Sequence, residues 1–228
     1  MCGRFTLHHN LEELEERFAV APAGEAGGDS EPRYNIAPPQ DVLVVTQNGA
    51  RRLEAYHWGL IPSWAKDVSV GNRMINARAE TLAEKPSFRT ALSRRRCLIP
   101  ADGFYEWQVT GTGAKPAKTP MHLRLTDGGL FAFAGLWDEW RGPDGVALRS
   151  CTIITTAPNA VAAPIHDRMP AILRPEDEAL WLAPSLSEAG ALLSLLGPYP
   201  ASAMEAYAVS RQVNAPTVDD PGCIARAA

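Results

Sequence analysis

Lysine is scarce, four residues against eighteen arginines in 228, and neither sign of charge dominates, the formal net being −4. That balance excludes a protein that coats nucleic acid by bulk charge, so any nucleic-acid site has to be a local arginine patch. The arginine excess suits planar contacts to phosphate, and is equally what a GC-rich genome produces. No run approaches the roughly 18 consecutive apolar residues that a membrane helix needs, and the opening Met1-Cys-Gly-Arg-Phe-Thr has no apolar signal-like region. The expectation is a soluble, cytoplasmic protein with no membrane partner. Cys2, Cys97, Cys151 and Cys223 stand far apart and form no C-x-x-C pair, which argues against a zinc site or a disulfide framework and for reduced thiols. Internal repeats are missing too. With no P-loop, G-x-S-x-G, H-E-x-x-H or G-x-G-x-x-G motif, nucleotide hydrolysis, serine esterase chemistry and zinc proteolysis have no support.

What is present is 46% apolar residues in a chain long enough for one sizeable core. The reading is a single α+β domain over residues 1–228. Asn10 with Glu13 forms a capping-box pattern ahead of Leu11, Leu14 and Phe18 at helical spacing. Ala21 to Glu31 has no periodicity and reads as a mobile loop, and 224–228 as a tail. Short β-branched or aromatic runs predict strands at Val42–Thr46, Cys97–Ile99, Phe104–Val109, Met121–Leu125, Leu130–Leu136 and Cys151–Thr156. Helices are expected over Ala79–Leu92, interrupted at Pro86, over Asn159–Ala163, after Pro175, and over Ser187–Leu196. Strands of this kind curl into a barrel-like, mostly antiparallel sheet with helices at its margins.

Chemistry is suggested first at the N-terminus. Removal of Met1, which the small side chain of Cys2 favours, exposes an amine beside a thiol. An α-amine titrates near 7.7–8.0 and a thiol near 8.5, so at neutral pH about a tenth of the amine is nucleophilic and a few per cent of the thiol is thiolate. Such a pair suits an aldehyde: the amine forms a Schiff base and the thiol closes a five-membered thiazolidine. Cys2 alone is also compatible with an idle, frayed terminus. In Gly103-Phe-Tyr-Glu-Trp-Gln, alternation puts Glu106 among aromatics, where burial raises a carboxyl pKa, although a solvated sheet face fits the same pattern. His166, in a loop pinned by Pro164 and Pro170, is a candidate acid or base, or merely a hydrogen-bonded histidine. His8, His9, His57 and His122 have no polar constellation around them and read as structural.

Cys2 and Arg4, Asn76 and Arg78, and His166 and Arg168 each place an arginine two positions after a reactive or orienting group. In extended chain the two side chains of such a pair point the same way, roughly 6.5–7 Å apart. Each chemical group then has its own anion anchor. The six tryptophans are mostly core by nature, with Trp58 and Trp64, around Gly59-Leu-Ile-Pro-Ser, as candidates for stacking on bases.

Met1-Cys-Gly-Arg-Phe, Arg33-Tyr-Asn-Ile-Ala-Pro, Trp58-Gly-Leu-Ile-Pro-Ser-Trp-Ala, Asn76-Ala-Arg-Ala-Glu-Thr, Arg96-Cys-Leu-Ile-Pro-Ala-Asp-Gly-Phe-Tyr-Glu-Trp, Phe133-Ala-Gly-Leu-Trp, Ile165-His-Asp-Arg-Met-Pro and Val209-Ser-Arg-Gln-Val-Asn together resemble the SOS response-associated peptidase (SRAP) family. The blocks follow the family's order across nearly the whole chain, leaving out Ala21–Glu31 and the segment after Cys223. The resemblance implies an α+β fold with a barrel-like core, and a sensor of abasic sites in single-stranded DNA; no cofactor or metal is expected, and the protein is expected to be a monomer. It implies that Cys2 forms the thiazolidine crosslink with the ring-opened sugar. Asn76 would orient, Glu106 and His166 would move protons, and Arg4, Arg78 and Arg168 would hold phosphates. The family name also implies autoproteolytic loss of Met1. Two other functions fit the residues: an N-terminal-nucleophile cysteine peptidase or amidohydrolase, and a non-covalent reader of modified or single-stranded DNA.

Overall fold

The computed structural model describes residues 2–21, 31–110 and 116–227. Most of the expected mobile loop, residues 22–30, lies outside them. Strands β1 (Phe5–Leu7), β2 (Arg33–Ile36), β3 (Asp41–Asn48), β4 (Ala50–Trp58), β5 (Asn76–Arg78), β6 (Arg96–Ala101), β7 (Gly103–Thr110), β8 (Ala117–Leu125), β9 (Phe131–Arg141), β10 (Ala147–Thr156), β11 (Met169–Pro170), β12 (Ile172–Leu173) and β13 (Met204–Ala208) form two sheets. Along one sheet run β10, β4, β3, β6 and β9 in neighbouring order, and β9 pairs back onto β10, closing a five-stranded barrel. Its pairings are antiparallel except β10 with β4. The other sheet, β13-β8-β7-β1-β2, is antiparallel throughout.

All six predicted strands are present. Every residue of β6 is buried, because the strand is central, between β3 and β9; a strand covered on both faces reads as an unbroken apolar run. The two sheets meet through aromatic edges: Phe5 of β1 lies 5.2 Å from Trp58 and 5.7 Å from Phe133, centroid to centroid, and Phe104 of β7 lies 6.1 Å from Phe133. That contact seats the N-terminal strand against the barrel wall.

Helix α1 (Leu11–Phe18) has the expected reciprocal cap, Asn10 Oδ1 accepting from Glu13 N at 3.0 Å and Glu13 Oε2 accepting from Asn10 N at 2.8 Å. Helices α2 (Pro86–Arg94) and α3 (Pro175–Leu182) each begin on a proline, so Pro86 starts a helix rather than interrupting one. A short α4 (Ala189–Ser194) follows. Asn159–Ala163 forms successive turns instead of a helix; Asn159 Oδ1 takes the backbone N–H groups of Val161 and Ala162, each at 3.0 Å. Buried Arg96 donates to the carbonyls of Leu92, Trp181, Ala183 and Leu186, satisfying the C-terminal ends of α2 and α3 together. Near the C-terminus Cys223 is buried and Arg226 bridges to Val209.

Candidate functional site

The strand pairings bring four distant segments to one place. β5 lies parallel to β10, with Asn76 opposite Ile153 and Arg78 opposite Thr155. β1 lies antiparallel to β7, with Phe5 opposite Phe104. The loop carrying His166 is held to β7 by Gln108 Nε2, which donates to Pro164 O at 3.2 Å. At the junction Asn76 Nδ2 donates to the carbonyl of Cys2 at 2.8 Å, fixing the backbone of the nucleophile candidate. The Oδ1 of Asn76 is buried with no hydrogen-bond partner among the described residues.

Cys2 is fully buried, its Sγ 3.9 Å from the Arg4 carbonyl oxygen. Burial, with the Glu106 carboxylate close by, pushes the thiol far above its ordinary value. With Met1 in place, these surroundings favour the neutral thiol over the thiolate. Glu106 is only 4% exposed, and loss of water raises its pKa, opposed by the charge of nearby His166. The solvated-face alternative for Glu106 is thus set aside. His166 Nδ1 accepts the backbone N–H of Arg168 at 3.0 Å and lies 2.9 Å from the well-exposed Asp167 carboxylate. An amide N–H only donates, so in the contact with Arg168 the ring nitrogen Nδ1 is the acceptor.

The three arginines differ in how they are held. Arg78 is exposed. Arg168 is mostly covered and forms a two-pronged pair with Glu80 at 2.7 and 3.0 Å, with Nη2 also reaching Thr155 O at 2.6 Å. Arg4 is 9% exposed, its Nη1 donating to Asn35 Oδ1 at 2.5 Å and Val213 O at 2.6 Å, with the guanidinium over the Trp107 ring. Asn35 and Glu80 were not singled out from the sequence. Both stand inside quoted motifs, but no local spacing ties Asn35 to Arg4, 31 positions away, or Glu80 to Arg168, 88 positions away.

Two sequence readings are overturned. Trp58 is not a base-stacking residue: it is fully buried, and its indole N–H donates to Ile75 O at 2.9 Å. The loop after it folds inward, because Gly59, at φ +140°, lies against Gly71 so closely that a Cβ would stand 2.7 Å from the Gly71 carbonyl oxygen. Trp64, at 62% exposed, is free to stack. The histidines, too, have polar surroundings. His8 and His9 both converge on buried Asp102. His122 lies 3.0 Å from Tyr207 Oη and 3.4 Å from Thr6 Oγ1, so tightly over Gly103 that a Cβ there would meet its ring at 2.2 Å.

Comparison with known proteins places this arrangement. The chain is 49% identical over 228 residues to the abasic site processing protein YoqW of Bacillus subtilis (strain 168), covering 98% of this chain and 99% of that one. It is 33% identical over 230 residues to the abasic site processing protein HMCES of Xenopus tropicalis, covering 87% and 68% respectively. A crystal structure of a protein from Bacteroides thetaiotaomicron superposes with a TM-score of 0.88 at 30% identity, covering all of both chains. A family model described as SOS response associated peptidase (SRAP) matches residues 1–216, and the chain belongs to that family.

Proposed function

We propose that this protein processes abasic sites in single-stranded DNA by forming a covalent thiazolidine crosslink through Cys2 once Met1 is gone, shielding the lesion during the DNA damage response. The reading is supported by relatives named as abasic site processing proteins. The observation that carries it is the Asn76 amide on the Cys2 carbonyl, with Glu106 buried close to the same cysteine. The unused acceptor of Asn76 suits an amine at position 2. Glu106 and His166 supply and remove protons for sugar ring opening and Schiff-base formation. The neutral thiol then adds to the imine carbon, giving its proton to the nitrogen as the ring closes.

Arg78, exposed at the end of β5, makes the first phosphate contact. Arg4 and Arg168, already fixed by protein partners, supply positive potential at the floor of the cleft. The buried, protonated thiol also disfavours the cysteine-hydrolase reading, which needs a thiolate for repeated turnover. Autoproteolytic loss of Met1 is a single event and does not require that turnover.

The test is an oligonucleotide with one abasic site, a protein whose N-terminus is verified as Cys2, a denaturing gel and intact mass. A stoichiometric, heat-stable shift is expected; its absence removes the reading. Arg78→Ala weakens single-strand binding and lowers the salt slope by about 0.7, the share of one phosphate contact on a single strand. An unchanged slope rejects the phosphate role. Trp64→Ala weakens the same binding by about 1–3 kcal/mol with little change in stability. Trp58→Phe does the reverse, costing about 1–3 kcal/mol of stability by orphaning the Ile75 carbonyl and opening a void, while the folded protein keeps its affinity. Equal losses of binding in the two variants would return Trp58 to the DNA surface.

A further inference from the structure

We propose that His8, His9 and Asp102 form a binding site for a borderline divalent transition-metal ion such as Zn²⁺, clamping the start of the chain to the turn between β6 and β7. One donor atom from each residue falls within a sphere where all lie within 4.8 Å of one another. His8 Nδ1 is 2.9 Å and His9 Nδ1 3.1 Å from Asp102 Oδ2. The His8 nitrogen is within ion-pair distance of Oδ2 and has no other partner among the described residues. His9 Nδ1 is hydrogen-bonded to the same Oδ2, and an ion entering the cluster would take the place of that contact.

The spacing admits a shared ion. With bonds of about 2.1 Å, the two histidine-to-carboxylate separations of 2.9 and 3.1 Å correspond to angles of roughly 90°, narrower than tetrahedral, so a tetrahedral ion would draw the histidines slightly outward from Asp102. Two imidazoles and a carboxylate suit zinc, cobalt or nickel, and the nitrogen donors disfavour calcium and magnesium. The supporting contacts are in place. Asp102 Oδ1 accepts from Thr6 Oγ1 at 2.5 Å, and Oδ2 from the backbone N–H of His8 at 2.5 Å, which holds the carboxylate plane. Tyr34 stacks on the His8 ring at 5.4 Å and 17°. Both histidine side chains are partly exposed while Asp102 is fully covered, which leaves the solvent side for water ligands.

The placement suggests what the ion does. His8 and His9 directly follow β1, and Asp102 directly precedes β7. An ion joining them locks the pairing of Phe5 with Phe104, from whose two strands Cys2 and Glu106 are carried. The site is therefore a positioning clamp on the N-terminal strand, independent of the reaction assigned to Cys2.

Titration of metal-stripped protein with Zn²⁺ and Co²⁺ tests this, with bound metal measured by elemental analysis after dialysis. Because an N-terminal cysteine is itself a chelator, Cys2→Ser is run in parallel. One equivalent of Zn²⁺ is expected in both proteins, raising Tm in both. The Co²⁺ form of Cys2→Ser should show d–d absorption with no sulfur-to-metal charge-transfer band. The double variant His8→Gln/His9→Gln should keep its metal-free fold and lose the ion; should it fail to fold, His9→Gln alone should weaken binding at least tenfold. No binding by the parent, retention of the ion by the histidine variants, or its loss in Cys2→Ser each overturns the site.

Discussion

One residue left ahead of Cys2 abolishes the heat-stable DNA adduct while reversible binding persists. The reasoning is chemical before it is structural. An amine condenses with an aldehyde and an amide nitrogen does not, so any extension removes the first step and spares the arginines and the thiol. At neutral pH about a tenth of a free α-amine is unprotonated, enough to start the reaction. Burial disfavours the thiolate, so the order expected of the proposed reaction is imine first, sulfur second. Cys2→Ser with Met1 removed separates the steps. It keeps the amine and so a Schiff base that borohydride reduction traps, but lacks the sulfur that closes a stable ring. On a denaturing gel the extended protein shows no band under either condition, Cys2→Ser shows one only after reduction, and the parent shows one without it. Cys97, Cys151 and Cys223 are buried and carry no terminal amine. Should the extended protein still give the same adduct, another nucleophile is at work and Cys2 is wrongly assigned.

How much of this was legible in the sequence depended on range. Strands covered on both faces, such as β6 with Cys97-Leu-Ile, announce themselves as apolar runs. β4 did not, because Arg51, Arg52 and Glu54 interrupt it; Gly49, in the turn that joins it to β3, takes φ +79°. β13 is short and mixed, held by its pairing with β8 rather than by its own pattern. Alternation, a local rule, placed Glu106 among aromatics but left a solvated face equally open, and only the folded sheet, which leaves it 4% exposed, decides for burial. The burial of Trp58 was not legible either, because it depends on Phe5 and on the Gly59–Gly71 approach, contacts no local rule contains. The histidine pair was misread for the same reason: His8 and Asp102 are 94 positions apart, and only the register of β1 on β7 joins them.

Glu106→Gln slows crosslinking by about 10²–10⁴-fold, the usual worth of a positioned proton-transfer group, while single-strand affinity stays within a few-fold. The substitution is nearly the same shape, so it removes the proton and the charge without emptying the space. The pH profile identifies the role. Deprotonation of the Cys2 amine speeds the parent as pH rises; loss of the Glu106 proton then slows it, and burial moves that falling limb upward from the ordinary carboxylate range. Glu106→Gln should keep the rising limb and lose the falling one. Stability gives an independent check of sign. A carboxyl whose pKa is raised on folding contributes stability that is full below its unfolded pKa and is lost as pH rises through the folded one. The parent therefore loses ground to Glu106→Gln across that window, measured as the difference in urea midpoints at each pH. Equal loss of rate and affinity with a lowered midpoint would mark Glu106 as structural, and a variant that retains the parent's rate at every pH would remove it from the proton path altogether.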